Sequence, residues 1–339
     1  MNILINKSKG LPRPLWFMRQ AGRYLPEYRS LRLQSGGFLE MCLNPDIASE
    51  ITLQPLKRFP EIDAAILFAD ILIVPYGLGV PLDFIEKVGP VLPPVDLNTP
   101  PLYEKNDFSE KISPILKTIK KVKAQLKDKT LIGFAGAPWT VATYMLQGQG
   151  GKEMAAAKAL AYSNIKGMDR LIKTLTESTS QYLIDQIEAG VDMIQIFESW
   201  AGILPEPFFE RWCVAPTLEI MKAVRKKHPD TTIFVFPRGA SAYYGKYFQQ
   251  DIVPDGISID TQVDIQQVLK AIPKETVVQG GMDPQLLRAG GDSMRQEAKR
   301  ILEETKNRKY IFNLGHGMTP DIPVEHVQDL IDFVKGWSP

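Results

Sequence analysis

The chain has 339 residues, and its 40 Lys and Arg nearly balance 39 Asp and Glu for a net charge of +1, so it lacks the basic excess that drives nucleic-acid binding by bulk electrostatics. With 44% hydrophobic and 23% charged residues it has the composition of a soluble globular protein, long enough for one large α/β domain or two ordinary ones. No run approaches the roughly 18 apolar residues that span a bilayer, and Met1-Asn2-Ile3-Leu4-Ile5-Asn6-Lys7 lacks the basic start and apolar segment of a signal peptide. Two cysteines, Cys42 and Cys213, and three histidines, His228, His316 and His326, are too few and too scattered for a disulfide framework or a metal cage. A reducing cytoplasm and metal-free chemistry are the expectation.

Taken in chain order, eight short apolar runs end in Gly, Pro or polar residues: 15–18, 64–69, 131–135, 193–197, 232–236, 256–259, 276–279 and 310–314. Near-continuous apolar character without alternation suits parallel strands buried on both faces. Segments with helical periodicity lie between them, for example 112–126, 168–189, 216–227 and 293–306. Strand and helix alternating eight times without an internal repeat predicts a (β/α)8 barrel of the TIM type, with residues 1–339 as a single domain. The competing open, doubly wound sheet predicts a Gly-rich phosphate loop after an early strand. Gly148-Gln149-Gly150-Gly151 follows a helical stretch instead and reads as a flexible loop. The Pro-rich residues 88–101 read as an excursion from the barrel.

In such a barrel the active site is built from residues just past the carboxyl ends of the strands. In order these are Arg19 and Arg23, Asp70, Trp139 with Tyr144, Glu198 with Ser199, Arg238, Asp260, Asp283 and His316. The first loop, Trp16-Phe17-Met18-Arg19-Gln20-Ala21-Gly22-Arg23-Tyr24, concentrates permanent positive charge, and Arg29 and Arg32 come soon after. A guanidinium pairs bidentately with carboxylate or phosphate and keeps its proton, so the loop suits an anion. Surface salt bridges to Glu27 and Glu40 are the plainer alternative. The other positions also have plainer readings: Asp70 as a helix cap, Tyr144 as a core-edge phenol, Ser199 as an N-cap, and Asp260 and Asp283 as loop-fixing groups. His316, flanked by Gly315 and Gly317, gains little from packing, and its near-neutral pKa favours a functional role.

Six blocks carry a resemblance: residues 16–29, Leu53-Gln54-Pro55-Leu56, Phe68-Ala69-Asp70-Ile71-Leu72, Gly133-Phe134-Ala135-Gly136-Ala137-Pro138-Trp139-Thr140, Phe197-Glu198-Ser199-Trp200-Ala201-Gly202 and Asn313-Leu314-Gly315-His316-Gly317. In this order, from about residue 10 to the end, the chain resembles the uroporphyrinogen decarboxylase family. The resemblance implies a cytoplasmic enzyme, usually a homodimer with facing clefts, that uses no cofactor or metal. Its reaction removes CO2 from the four acetate arms of uroporphyrinogen III and leaves coproporphyrinogen III. It further implies that Arg19, Arg23 and Arg32 hold the anionic substrate, assisted by the backbone of Gln20, Ala21 and Gly22. Asp70 accepts hydrogen bonds from the pyrrole N–H groups, and Tyr144, Ser199 and His316 complete the contacts. By this resemblance the reacting group comprises Asp70, Arg19, Arg23, His316 and Tyr144, with His316 or a water the chemically easier proton donor. Tyr28 departs from a Phe found in some relatives, and Arg238 from a basic residue one position away.

Two rivals remain. Zinc-dependent corrinoid or thiol methyltransferases share the barrel and part of the pattern, but they need cysteines to join a histidine at the zinc, and no cysteine follows Cys213. A non-catalytic tetrapyrrole carrier needs the arginines but not Asp70.

Overall fold

The computed structural model describes residues 3–86 and 88–339. Met1 and Asn2, which begin the N-terminal stretch unlike a signal peptide, lie outside them. The strands are β1 (Ala64–Ile66), β2 (Asp83–Ile85), β3 (Gly89–Val91), β4 (Thr130–Gly136), β5 (Met193–Glu198), β6 (Thr232–Pro237), β7 (Gly256–Ile259), β8 (Val277–Gly280) and β9 (Tyr310–Ile311). Seven of them pair in parallel in the order β1-β4-β5-β6-β7-β8-β9, whereas β2 and β3 form a separate antiparallel hairpin. Every residue of β4 and β5 is buried, as expected for parallel strands covered on both faces.

The seven apolar runs from residue 64 onward each supply one parallel strand. The first run supplies only an isolated parallel bridge, Leu15 to Phe312. Pro12 and Pro14 explain why: neither has an N–H to give to a ladder. The bridge nevertheless closes the curl. The Phe312 N–H donates to the Pro14 carbonyl (2.8 Å), the Trp16 N–H to that of Phe312 (3.3 Å), and the Asp63 N–H to that of Leu15 (2.9 Å). Residues 14–16 therefore lie between β9 and β1 and occupy the eighth barrel position.

Helices return the chain between most strands, with bounds close to the periodic segments: Lys105–Lys123, Ile165–Ala189, Ala215–Lys227 and Gly291–Thr305. Gly190, at φ 119°, ends the second of these. Strict alternation fails between β6 and β7, where the crossover is a run of 3-10 turns, Ser241–Phe248. That segment packs through aromatic rings instead of a helical stripe: Tyr244 and Tyr247 are buried, and Tyr243 and Tyr247 contact Phe209. The excursion at 88–101 is tied back to the barrel, since the Leu92 N–H donates to Gly148 (2.8 Å) and the Val95 N–H to Met145 (2.8 Å).

Inside the barrel, buried polar side chains link to one another, although the Gln195 Nε2 has no partner among the described residues. The Trp16 indole N–H donates to Gln279 Oε1 (3.0 Å), and Gln279 Nε2 donates to Gln195 Oε1 (2.7 Å) and Ser258 Oγ (2.8 Å). Gln195 on β5 reaches Gln279 on β8 across two intervening strands, so this layer fills the interior.

Asp63 fastens the closure from outside the interior. Its carboxylate accepts from the Leu15 N–H (2.9 Å), Lys7 Nζ (2.8 Å) and Lys335 Nζ (2.5 Å). Burial alone pushes this carboxyl up, but the two ammonium groups and the Leu15 N–H outweigh it and hold the pKa below the ordinary value. Asp63→Asn should lower stability by about 2–4 kcal/mol at neutral pH, because a buried ammonium-paired carboxylate is lost. Since the folded pKa is depressed, that contribution is full above the unfolded-state carboxylate pKa and disappears as pH falls through the folded value. Denaturant titrations of both proteins should therefore converge in acid; a constant gap at all pH values would remove the ionic explanation.

Candidate active site

The site begins where the closing segment leaves the barrel. A turn comes after Phe17, with the Gln20 N–H donating to the Phe17 carbonyl (3.0 Å), and it places Arg19 at φ 62°. Such a left-handed conformation costs a non-glycine residue about 1–2 kcal/mol and persists only where neighbours enforce it. Two neighbours do. The Gln20 side chain, fully buried, accepts from the Phe17 N–H (3.0 Å) and donates to the Ala64 carbonyl (2.9 Å). The Asn313 side chain accepts from the N–H groups of Met18 (3.0 Å) and Leu314 (2.7 Å). The Gln20 side chain thus points into the scaffold.

The salt-bridge alternative for the arginines does not hold. Glu27 forms a fork with Arg58 (2.7 and 2.8 Å), and Glu40 caps the Gly37 N–H (2.7 Å). Arg29 is consumed internally, donating to the Arg23 and Tyr24 carbonyls. Among the described residues no carboxylate lies in ion-pair range of Arg19, Arg23 or Arg32. Arg23, Arg29 and Arg32 line a groove of about 660 Å³ together with Glu86 and Pro320. This is room for a small organic ligand.

Asp70, half-buried past β1, combines both of its sequence readings. Its Oδ1 accepts the Leu72 N–H (2.8 Å) ahead of the short helix Ile73–Gly77, a local capping turn. Burial pushes its pKa up to about 6 against the Leu72 N–H and the charge of Arg19. Across the mouth, Tyr144 on the helix Pro138–Gln147 is half-buried, with its hydroxyl near Gly150 and the Trp200 indole. Burial raises the phenol pKa, so it remains protonated.

Ser199 does not cap the turn after it, Ala201–Ile203. Its position is set from below by Glu198, whose Oε1 accepts both the Thr140 N–H (2.7 Å) and the Thr140 hydroxyl. Thr140 Oγ1 in turn accepts the Trp200 N–H (3.1 Å), and the Trp139 indole donates to the Trp200 carbonyl (3.1 Å). Burial pushes Glu198 up to about 8 despite these donors, so it is neutral and structural at pH 7. Asp260 and Asp283 fix loops, accepting from the Gln262 N–H (2.9 Å) and the Gln285 N–H (2.8 Å).

A set of apolar residues at the mouth was not singled out from sequence. In β5, Gln195 and Phe197 share one face, and Phe134 of β4 is in register with Gln195. Phe134 and Phe197 thus point into the barrel above the polar layer, in edge-to-face contact at 5.6 Å, and each retains 7% exposure. Inside apolar strand runs their ring identity carries no signal that distinguishes a cleft floor from core.

His316 is half-buried, and its Nδ1 accepts the Gly317 N–H (2.7 Å), which leaves the proton of the neutral ring on Nε2. Burial and the charges of Arg19 and Arg238 depress its pKa to about 4. Gly317 is required by contact: a Cβ there would lie 2.3 Å from Arg19 Cδ. Gly315 is required as well, because a Cβ would sit 2.6 Å from the backbone of Asp260 and Thr261. Gly317→Ala should displace the flexible Arg19 side chain and weaken binding of a polycarboxylate about tenfold or more, with a melting temperature within ~3 °C of wild type. Unchanged binding in that variant would show that Arg19 does not need its place across residue 317.

Arg19, Asp70, Tyr144, Ser199 and His316 thus come together at one end of the barrel. Among the described residues no three His, Cys, Asp or Glu side chains could hold a metal ion, and Cys42 and Cys213 are each buried in the core. Among solved structures, a methyltransferase from Methanosarcina mazei superposes with a TM-score of 0.77 over 98% of this chain and 97% of its own, at 19% identity, which speaks for the barrel fold alone. Proteins named uroporphyrinogen decarboxylase are 43% identical in Chelativorans sp. (strain BNC1), over 98% of this chain and 96% of theirs, and 44% identical in Mesorhizobium japonicum, over 98% and 97%. The family model for uroporphyrinogen decarboxylase matches residues 5–337. The chain belongs to the uroporphyrinogen decarboxylase family.

Proposed function

We propose that the chain is a carboxy-lyase that converts the four acetate arms of uroporphyrinogen III to methyl groups, giving coproporphyrinogen III and CO2, and that it does so as one (β/α)8 domain in the cytoplasm. Family membership over nearly the whole chain supports the activity. The observation that carries it to this cleft is Arg19, without a carboxylate partner among the described residues, acting on the half-buried Asp70, with Arg23 and Arg32 likewise unpaired along the groove beside the same loop. A substrate with eight carboxylates supplies the missing counter-charges, which explains how an almost neutral protein can select a strongly anionic ligand.

The chemistry assigns each group a task. Loss of CO2 breaks the bond between the carboxylate carbon and its methylene, and the electron pair must go somewhere. Protonation of the pyrrole at a ring carbon makes an iminium-like sink, so the substrate itself accepts the pair. A proton then adds to the methylene carbon to form the methyl group, and the ring carbon gives back the proton it took, which restores the aromatic pyrrole. Arg19, Arg23 and Arg32, with the backbone of Gln20, Ala21 and Gly22, orient the ring through its carboxylates. Phe134 and Phe197 support its apolar face. Asp70, with Oδ1 occupied by Leu72, offers Oδ2 to the pyrrole N–H groups and stabilises positive charge that develops on the ring. His316, neutral with its proton on Nε2, fits a donor of a hydrogen bond to substrate better than an imidazolium acid. Tyr144 and Ser199 add hydroxyl donors. A tetrapyrrole carrier would not need Asp70 held partly desolvated beside Arg19.

The test is turnover of anaerobically prepared uroporphyrinogen, with products counted by carboxyl number. Asp70→Asn should bind substrate but lose about 10²–10³ in kcat. Ionised Asp70 is the working form, so wild-type kcat/KM should fall as pH drops through about 6, and the variant should lack that limb. Wild-type turnover by Asp70→Asn would end the charge-stabilising role.

We further propose a homodimer with facing clefts. Leu33, 89% exposed beside the arginine groove, and Ile85, 49% exposed next to Glu86, are apolar residues that a partner could cover. Sedimentation at micromolar concentration should give twice the chain mass, and Leu33→Glu should shift it toward monomer; a monomeric wild type would overturn the proposal.

A further inference from the structure

Arg238 follows β6 on the wall opposite the first loop, and its surroundings differ from those of the structural arginines. Arg29, Arg58 and Arg211 are each consumed by carbonyls or a carboxylate at 2.5–3.0 Å. The half-buried Arg238 side chain has only one long contact, Nη1 to the Ser199 carbonyl at 3.5 Å. Among the described residues no carboxylate lies in ion-pair range of it. Its main chain, in contrast, is locked. The Arg238 N–H donates to the Glu198 carbonyl (3.1 Å), its carbonyl accepts the Gly202 N–H (3.0 Å), and a Cβ on Gly202 would strike the Gly239 backbone at 2.4 Å. A rigid stem therefore presents an unpaired guanidinium, near enough to His316 and Tyr144 for its charge to act on both.

A partly desolvated cation without a counter-ion is costly unless an anion arrives. Here its charge, like that of Arg19, acts on His316, and its Nη1 approaches the Ser199 carbonyl, so the guanidinium can share an anion with the Nε2–H of His316 and the Ser199 hydroxyl. We propose that Arg238 is a substrate-binding residue: its guanidinium, with His316 and Ser199, holds one of the four ring carboxylates that survive the reaction, on the wall opposite Arg19, Arg23 and Arg32. The assignment rests on the proposed decarboxylase activity. A surviving carboxylate is the appropriate partner because a fixed clamp must serve all four steps, and only these arms are present at every step. The clamp supplies ring register and takes no part in bond breaking.

The test compares Arg238→Gln and Arg238→Lys with wild type on substrates carrying eight, seven, six and five carboxyl groups. Arg238→Gln should raise KM about ten- to a hundredfold, by a similar factor on every substrate, with a small effect on kcat and thermal stability. Arg238→Lys should recover part of the loss, since it keeps the charge but not the fork. A wild-type KM in Arg238→Gln, or a fall in kcat and melting temperature with KM unchanged, would overturn the assignment and leave Arg238 as a support for the Ser199 carbonyl. A KM penalty confined to the substrate with the most carboxyl groups would overturn it as well, pointing to a consumed acetate. Wild-type turnover in the same assay separates the two readings, because its absence counts against the decarboxylase itself.

Discussion

The structure depends on closing a barrel whose first strand position is barely a strand. Leu15 makes a single bridge to Phe312, and the closure is completed by Asp63, which receives the Leu15 N–H and two lysine ammonium groups. Lys7 comes from the start of the described chain and Lys335 from its last helix, so one carboxylate ties both ends to the seam. Burying a charge is unfavourable in itself. Here the surrounding donors reverse the balance, and the carboxyl is held below its ordinary pKa despite burial.

The first loop inherits the rigidity of this seam. Gln20, anchored on Ala64 of β1, and Asn313, just past β9, grip the loop backbone, and the Arg19 conformation is the strain this grip sustains. Gly317 then leaves space for the Arg19 side chain beside His316. A short sequence of local requirements thus converts barrel closure into the placement of one guanidinium. The same region sets opposite titration behaviour in two neighbours. Desolvation raises Asp70 and lowers His316, and Arg19 opposes the first shift while reinforcing the second. This end of the barrel accordingly combines Arg19, a neutral imidazole and a partly desolvated carboxylate, an arrangement suited to an anionic ligand.

Much of the fold was legible in the sequence because apolar runs bounded by Gly and Pro report burial on both faces directly. Seven of eight runs became parallel strands. The eighth was weakened by Pro12 and Pro14, and the β6–β7 crossover became 3-10 turns packed by tyrosines, since aromatic packing has no clear period. Site positions at strand ends were also legible, but not the direction of each side chain. Gln20 turned into the scaffold, Glu198 sank beneath Ser199, and Arg29 was spent on its own loop. Phe134 and Phe197 could not be told from core residues, because strand register alone determines which rings reach the mouth.

By itself the sequence determined the barrel class, the order of its elements and the family, because burial patterns and ordered motifs are written along the chain. It also determined that Asp70 and the first-loop arginines stand at strand ends. Only the tertiary structure decided which charges go without partners. Pairing is a matter of distance between residues far apart in sequence: Glu27 chose Arg58, Asp63 chose Lys335, and Arg19, Arg23, Arg32 and Arg238 were left without a carboxylate partner among the described residues. Desolvation is equally a property of the packed molecule, so the shifts of Asp70, Glu198 and His316 exist only after folding.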